Sequence, residues 1–281
     1  MSISETDMPG VRDWNDVGTL GIEGRPARLI RFVLGYEPIP ESLSLEGGDP
    51  ARFLLEPVTA VAVVYDEGAW VLLDSGFNVD TVRDEKARGE HFNFDGYAPV
   101  VPPGDPLADQ VIAAGLDWAD LAACAISHVH FDHTGGLRFV AGRAPAVFQR
   151  AEWDYAVTDA TIRDAVSVDD FLRPDLDVVL LDGDTEFAPG ITALDTRGHT
   201  PGHQSFAIEL QGRTVVLACD AADLRRNITE SIACGSTIRP GDAVDARIAA
   251  RRLHELDLLD GVEVWPGHDP DWWAWRDTGA L

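Results

Sequence analysis

The chain has 281 residues, 45% of them apolar, which suits a well-buried core in one large domain or two small ones. No apolar run approaches the roughly eighteen residues of a membrane-spanning helix, and the polar, acidic start MSISETDMPG lacks the basic and apolar regions of a secretory signal, so a cytoplasmic protein is expected. With 22 basic against 48 acidic residues the formal charge is −26, a surface that repels phosphate backbones and anionic lipid, so no nucleic acid and no membrane is expected as a partner.

In chain order, residues 37–57 are rich in proline, glycine and glutamate and read as a loop. They close an N-terminal arm, 1–57, packed on a catalytic domain, 58–281, and such an arm would permit a homodimer. Residues 58–65 (VTAVAVVY) and 69–74 (AWVLLD) flank Asp66-Glu67-Gly68, a hairpin pattern. A helix is expected over 107–116 and a buried strand over 121–127, followed by a short strand at 145–149 and helical patches over 150–173. Four strand-like runs follow at 178–181, 191–195, 205–210 and 214–219. A helical stripe then runs over 242–259, and a last strand over 262–265. Strands in two clusters with helices around them suit two packed sheets better than one doubly wound sheet. Cys124, Cys219 and Cys234 lack CxxC spacing and read as small buried hydrophobes.

The chemistry concentrates in 128–133, HVHFDH, where His128, His130 and His133 fall with Asp132 directly after a predicted strand. A turn there lets His128 and His130 point to one side, and neutral imidazoles are good zinc ligands. Asp132 and His133 can serve a second metal, and mixed nitrogen and oxygen donors suit zinc, with iron or manganese as alternatives. One run cannot complete two sites. Further candidates lie after other apolar runs: His199 and His203 in 197–203 (RGHTPGH), Asp220 after 214–219, and His268 in 266–269 (PGHD). Loops at strand ends project such side chains from a rigid scaffold.

This arrangement resembles the metallo-β-lactamase superfamily in five pieces taken in order: 73–76 (LDSG), 127–136 (SHVHFDHTGG), 198–204 (GHTPGHQ), 218–220 (ACD) and 266–269 (PGHD). The resemblance implies an α/β fold, a four-layer αββα sandwich with two divalent metal ions at one edge between the sheets. It implies that His128, His130 and His199 hold one metal, that Asp132, His133 and His268 hold the other, and that Asp220 bridges them. Asp74 would orient a ligand histidine, and His203 would support the HTPGH turn. Hydroxide made available at neutral pH by two Lewis-acid cations would attack a carbonyl, with Asp132 passing a proton to the leaving oxygen.

Within the superfamily the layout is most similar to the N-acyl-homoserine lactonase group, which opens a lactone ring. The expected function is hydrolysis of a small lactone or ester, with an activated aryl ether or ester, a thioester, or a non-catalytic subunit as alternatives. The nuclease branch is disfavoured by the charge. Lactonases of this group usually carry a tyrosine three residues after the bridging aspartate, where this chain has Asp223. Phe92, Phe94, Tyr97 and Tyr155 are the expected remaining pocket residues. Trp272, Trp273 and Trp275 are expected to pack or form a contact, and Arg225, Arg226 and Arg239 to be solvated.

Overall fold

Apolar side chains on both sides of most strands demand cover on both sheet faces, and the fold supplies it. The computed structural model describes residues 8–94, 96–158 and 165–274. One sheet takes β1 (Gly10–Asp13), β2 (Pro26–Pro40), β3 (Phe53–Tyr65), β4 (Trp70–Leu73), β5 (Leu121–Ala125), β6 (Pro145–Gln149) and β7 (Asp177–Leu181), in the spatial order β1-β7-β6-β5-β4-β3-β2. The other takes β8 (Thr185–Ala188), β9 (Ile191–Asp195), β10 (Gln204–Leu210), β11 (Arg213–Leu217) and β12 (Val262–Trp265), in the order β12-β11-β10-β9-β8.

Strand alternation divides the core into layers. Along β3, Val61 and Val63 face the second sheet, while Ala60, Ala62 and Val64 face the helices outside. Likewise Val71 and Leu73 of β4 point inward, and Trp70 and Leu72 outward. The inter-sheet core is closed from the other side by Ile191, Phe206, Ile208, Val215, Leu217 and Trp265. Outside the first sheet lie Leu107 and Val111 of the helix Pro106–Ala113 and Trp153 of the helix Arg150–Thr158. Outside the second, Ala249 and Leu253 of the helix Asp242–Asp257 pack on Val216 and Val264. This is the αββα order expected. Covered on both faces, the strands read as continuous apolar runs.

The loop expected over 37–57 is corrected. Residues 37–40 finish β2, a short helix spans Glu41–Ser44, and β3 begins at Phe53. β2 is an edge strand with β3 as its ladder partner, and edge strands tolerate the prolines that suggested a loop. The described part of the segment 1–57, residues 8–57, contributes β1, β2 and the start of β3 to the larger sheet, since β1 pairs with β7 and β2 with β3. The β2–β3 ladder runs from Pro26↔Tyr65 to Pro40↔Phe53, whereas β4 pairs with β3 only from Val61 to Val64. The hairpin therefore overhangs β4 by residues 32–40 and 53–60.

All three cysteines are free and buried, as expected of small hydrophobes. Trp273 is buried beside Trp265, and Trp272 tilts against the same ring with centroids 5.1 Å apart. Trp275 lies outside the described residues. Among the described residues, no helix is long and apolar enough to cross a membrane.

Strand ends gather the chemistry at one edge. β4 and β5 run parallel and deliver Asp74 and residues 127–134 side by side, and β11 and β12 do the same for Asp220 and His268. The turn after the histidine run fits tightly: Gly135 N–H donates to Gly76 O at 2.7 Å, and a Cβ on Gly135 would sit 1.7 Å from Asn78 N. Since that neighbour is backbone, Gly135→Ala is expected to destabilise the fold by about 3 kcal/mol. Urea unfolding checks this, and a variant as stable as the parent would refute it.

Candidate metal centre

Two groups of side chains converge. His128, His130, His199 and Asp220 form one, and Asp132, His133, Asp220 and His268 the other. Within each, the potential ligand atoms all lie within 4.8 Å of one another. Asp220 belongs to both: Oδ1 lies 2.9 Å from His268 Nε2 and 3.2 Å from His133 Nε2, and Oδ2 lies 3.6 Å from His128 Nε2 and 3.5 Å from His199 Nε2. All seven residues are buried except His130, which is partly so.

The donor set fits two cations. His128 Nε2 is buried with no hydrogen-bond partner, a state that costs free energy unless something accepts its lone pair. Around it, the outward ring nitrogens are held by the protein. His128 Nδ1 lies 3.0 Å from Ser127 Oγ, His133 Nδ1 3.0 Å from Asp74 Oδ2, His199 Nδ1 3.0 Å from Ser236 Oγ, and His268 Nδ1 2.9 Å from Pro57 O. Such partners fix ring orientation and leave the other nitrogen for a metal.

Asp74 adopts φ 58°, a left-handed conformation uncommon outside glycine that aspartate enters more readily than most residues. The turn aims one carboxylate oxygen at His133 and the other at Ser127 N–H, which donates to it at 2.7 Å. His203 does not join either group. Its Nε2 accepts from Asp220 N–H at 3.1 Å and its Nδ1 lies 2.9 Å from Thr196 Oγ1, so it steadies the backbone that carries Asp220.

Electrostatics separate the histidines. Burial, then repulsion from His133, holds the His128 pKa well below its ordinary value. Burial, then His199, takes His130 down to about 3, and burial lowers His199. These three are neutral, the ligand form. For His133, burial opposes charge, but Asp132, Asp220 and Asp74 together outweigh it and raise the pKa well above normal. At His268 burial is likewise outweighed, here mainly by Asp220.

Glu152 was not singled out in the sequence. It sits on the helix Arg150–Thr158, only 1% exposed; Oε1 accepts from Val129 N–H at 3.0 Å and Oε2 from Gly202 N–H at 2.9 Å. One carboxyl group thus ties the HxHxDH run to the HTPGH turn. Ser127 and Ser236 were also missed, because serines beside a motif carry no distinguishing pattern.

Above the two groups opens a cavity of about 450 Å³, a size suited to a small molecule. Phe92, Phe94 and Asp223 line it, with His91, Phe131, Ile39 and Leu43. Tyr97 and Tyr155 do not line it: Tyr97 is half exposed and stacked on Phe53 at 4.0 Å, and Tyr155 is buried beneath Arg239. Arg225 pairs with Asp257 and Arg226 with Glu230, away from the cavity. Two glutamates of the overhanging hairpin, Glu37 and Glu56, complete the wall. Burial, then Asp132, raises the Glu37 pKa well above normal. Burial pushes Glu56 up to about 8, and burial, then Asp220 and Glu56, raises Asp223 strongly.

The sequence profile of the metallo-beta-lactamase superfamily matches residues 55–279. The chain belongs to this superfamily. Among its metallo-beta-lactamase relatives, the N-acyl homoserine lactonase AttM of Azorhizobium caulinodans is 31% identical over 245 residues, covering 83% of this chain and 89% of that one. An N-acyl homoserine lactonase of a Bacillus species is 29% identical over 245 residues, covering 85% and 90%. The solved N-acyl homoserine lactone hydrolase with N-hexanoyl-L-homoserine at its catalytic metal center matches with a TM-score of 0.77 at 26% identity, over 90% of this chain and 97% of that one.

Proposed function

We propose that the protein is a dinuclear metal hydrolase that opens a small lactone or ester. The observation that carries this is the pair of ligand groups sharing Asp220 at the floor of a small-molecule cavity. The lactonase relatives support the bond type. His128, His130 and His199 would hold one cation, Asp132, His133 and His268 the other, with Asp220 between them and Asp74 orienting His133. Two divalent cations, zinc in this reading, would be held there and would supply Lewis acidity and hydroxide at neutral pH.

The chain's own residues do the rest. Asp132 lines the cavity, and in this reading it would take a proton and hand it to the leaving oxygen. Phe92, Phe94 and Phe131 exclude water from one side of the reacting carbonyl.

The test is a panel of lactones, aryl esters, thioesters and aryl ethers assayed with zinc-, manganese- and iron-loaded protein, alongside metal analysis. About two equivalents of metal per chain are expected, with turnover of lactones or esters that chelation removes. A chain that binds no metal, or cleaves none of these bonds, would overturn the reading.

A further inference from the structure

The cavity wall is acidic beyond what the metal groups need. Glu37 and Glu56 face each other directly across the β2–β3 ladder. Like charges in that relation repel, with side chains starting about 5 Å apart. Both are buried, at 7% and 2% exposure, and Asp223 joins them at 5%. Asp223 Oδ1 has no hydrogen-bond partner, although Asp223 sits on the cavity wall and its backbone O accepts from His268 N–H at 2.9 Å.

No lysine or arginine is found among the described residues that line the cavity. Arg52 and Arg226 reach Glu41 on the neighbouring helix instead. Glu56 accepts from Ser44 Oγ at 2.6 Å, while Asp223 Oδ1 has no partner. Burial disfavours the charged form of these carboxyls while the cavity is empty, and a positive group entering it would favour their ionisation.

We propose that Glu37, Glu56 and Asp223 receive an ammonium group, so that the natural substrate is a cationic lactone or ester with its charge near the reacting carbonyl. This rests on the hydrolase reading above and adds the substrate class. The three carboxyls do not form a group of their own tight enough for one metal ion, unlike the two groups below them. A bulkier organic cation suits their spacing, and Phe92 and Phe94, which line the same cavity, offer it apolar contact. The net charge of −26 raises the local concentration of cations around the whole molecule.

The experiment compares acetylcholine with 3,3-dimethylbutyl acetate, which has carbon in place of the charged nitrogen, each rate normalised to hydroxide-catalysed hydrolysis. With the metal-loaded wild type, kcat/KM is expected to favour the cation by about tenfold or more. Glu37→Gln and Asp223→Asn are each expected to erase that preference, and calorimetric titration with choline should show weaker binding in both. The comparison within the wild type stands even if a variant fails to fold. Equal or better turnover of the neutral ester overturns the cation site and leaves the hydrolase reading intact. Choline binding that Glu37→Gln weakens, in a protein that cleaves neither these esters nor any bond of the panel above, keeps the cation site and sinks the hydrolase reading. A third equivalent of metal lost in Glu37→Gln would assign the wall to an inorganic ion and overturn the proposal, as would absence of both choline binding and turnover.

Discussion

Replacing Asp220 with asparagine is expected to lower kcat/KM by about a thousandfold or more and to reduce bound metal from about two equivalents to about one or fewer. The two oxygens of Asp220 serve different groups, Oδ1 facing His268 and His133, Oδ2 facing His128 and His199. An amide keeps the shape but has one acceptor oxygen and no charge, and its NH₂ end turns donors towards a cation. The fold should survive, because the contact that anchors this position, Asp220 N–H to His203 Nε2, is backbone and is retained. Circular dichroism and metal analysis on the same sample separate misfolding from loss of ligand. Near wild-type activity with full metal would refute the shared-carboxylate assignment.

Glu152→Ala should destabilise the protein by about 3 kcal/mol or more at pH 5, since it strands two buried N–H groups, those of Val129 and Gly202. Because Val129 lies between His128 and His130 and Gly202 lies in the turn that carries His199, metal affinity should also fall by about ten- to a hundredfold. The carboxyl adds a pH signature. Burial pushes its pKa up to about 7 from an ordinary 4.5. Below 4.5 the folded and unfolded chains both hold the proton. As pH rises towards 7 the unfolded chain ionises first, so stability is lost, by roughly 3 kcal/mol in all. Glu152→Gln lacks this loss. Urea unfolding at pH 5 and pH 7 should show a steeper decline for the wild type than for Glu152→Gln, and parallel declines would refute the assignment.

Much of the site is legible in the sequence because each group follows a strand end. His128, His130, Asp132 and His133 sit in one run, and His199, Asp220 and His268 each follow an apolar strand. Period and strand ends carry that information. The cavity wall is less legible. Glu37 and Glu56 lie nineteen positions apart in a stretch whose prolines imitate a loop, and only their cross-strand register places them together. Glu152 looks like any acidic residue in a first helical turn. Tyr97 and Tyr155 were expected in the pocket by residue type alone, and type says nothing of direction. The short strands β1 and β8, four residues each, are too brief for alternation to show.

The overhanging hairpin has one more bearing. Pro57 O holds the His268 ring, and Leu43 O accepts from the N–H of Ser236, whose side chain holds the His199 ring. A truncated chain starting at residue 58 would keep every ligand side chain and lose what steadies two of them, one in each group. The smallest unit able to hold both metals is therefore not the segment that contains the ligands. It reaches back at least to β2, and a shortened variant made for engineering should leave that strand in place.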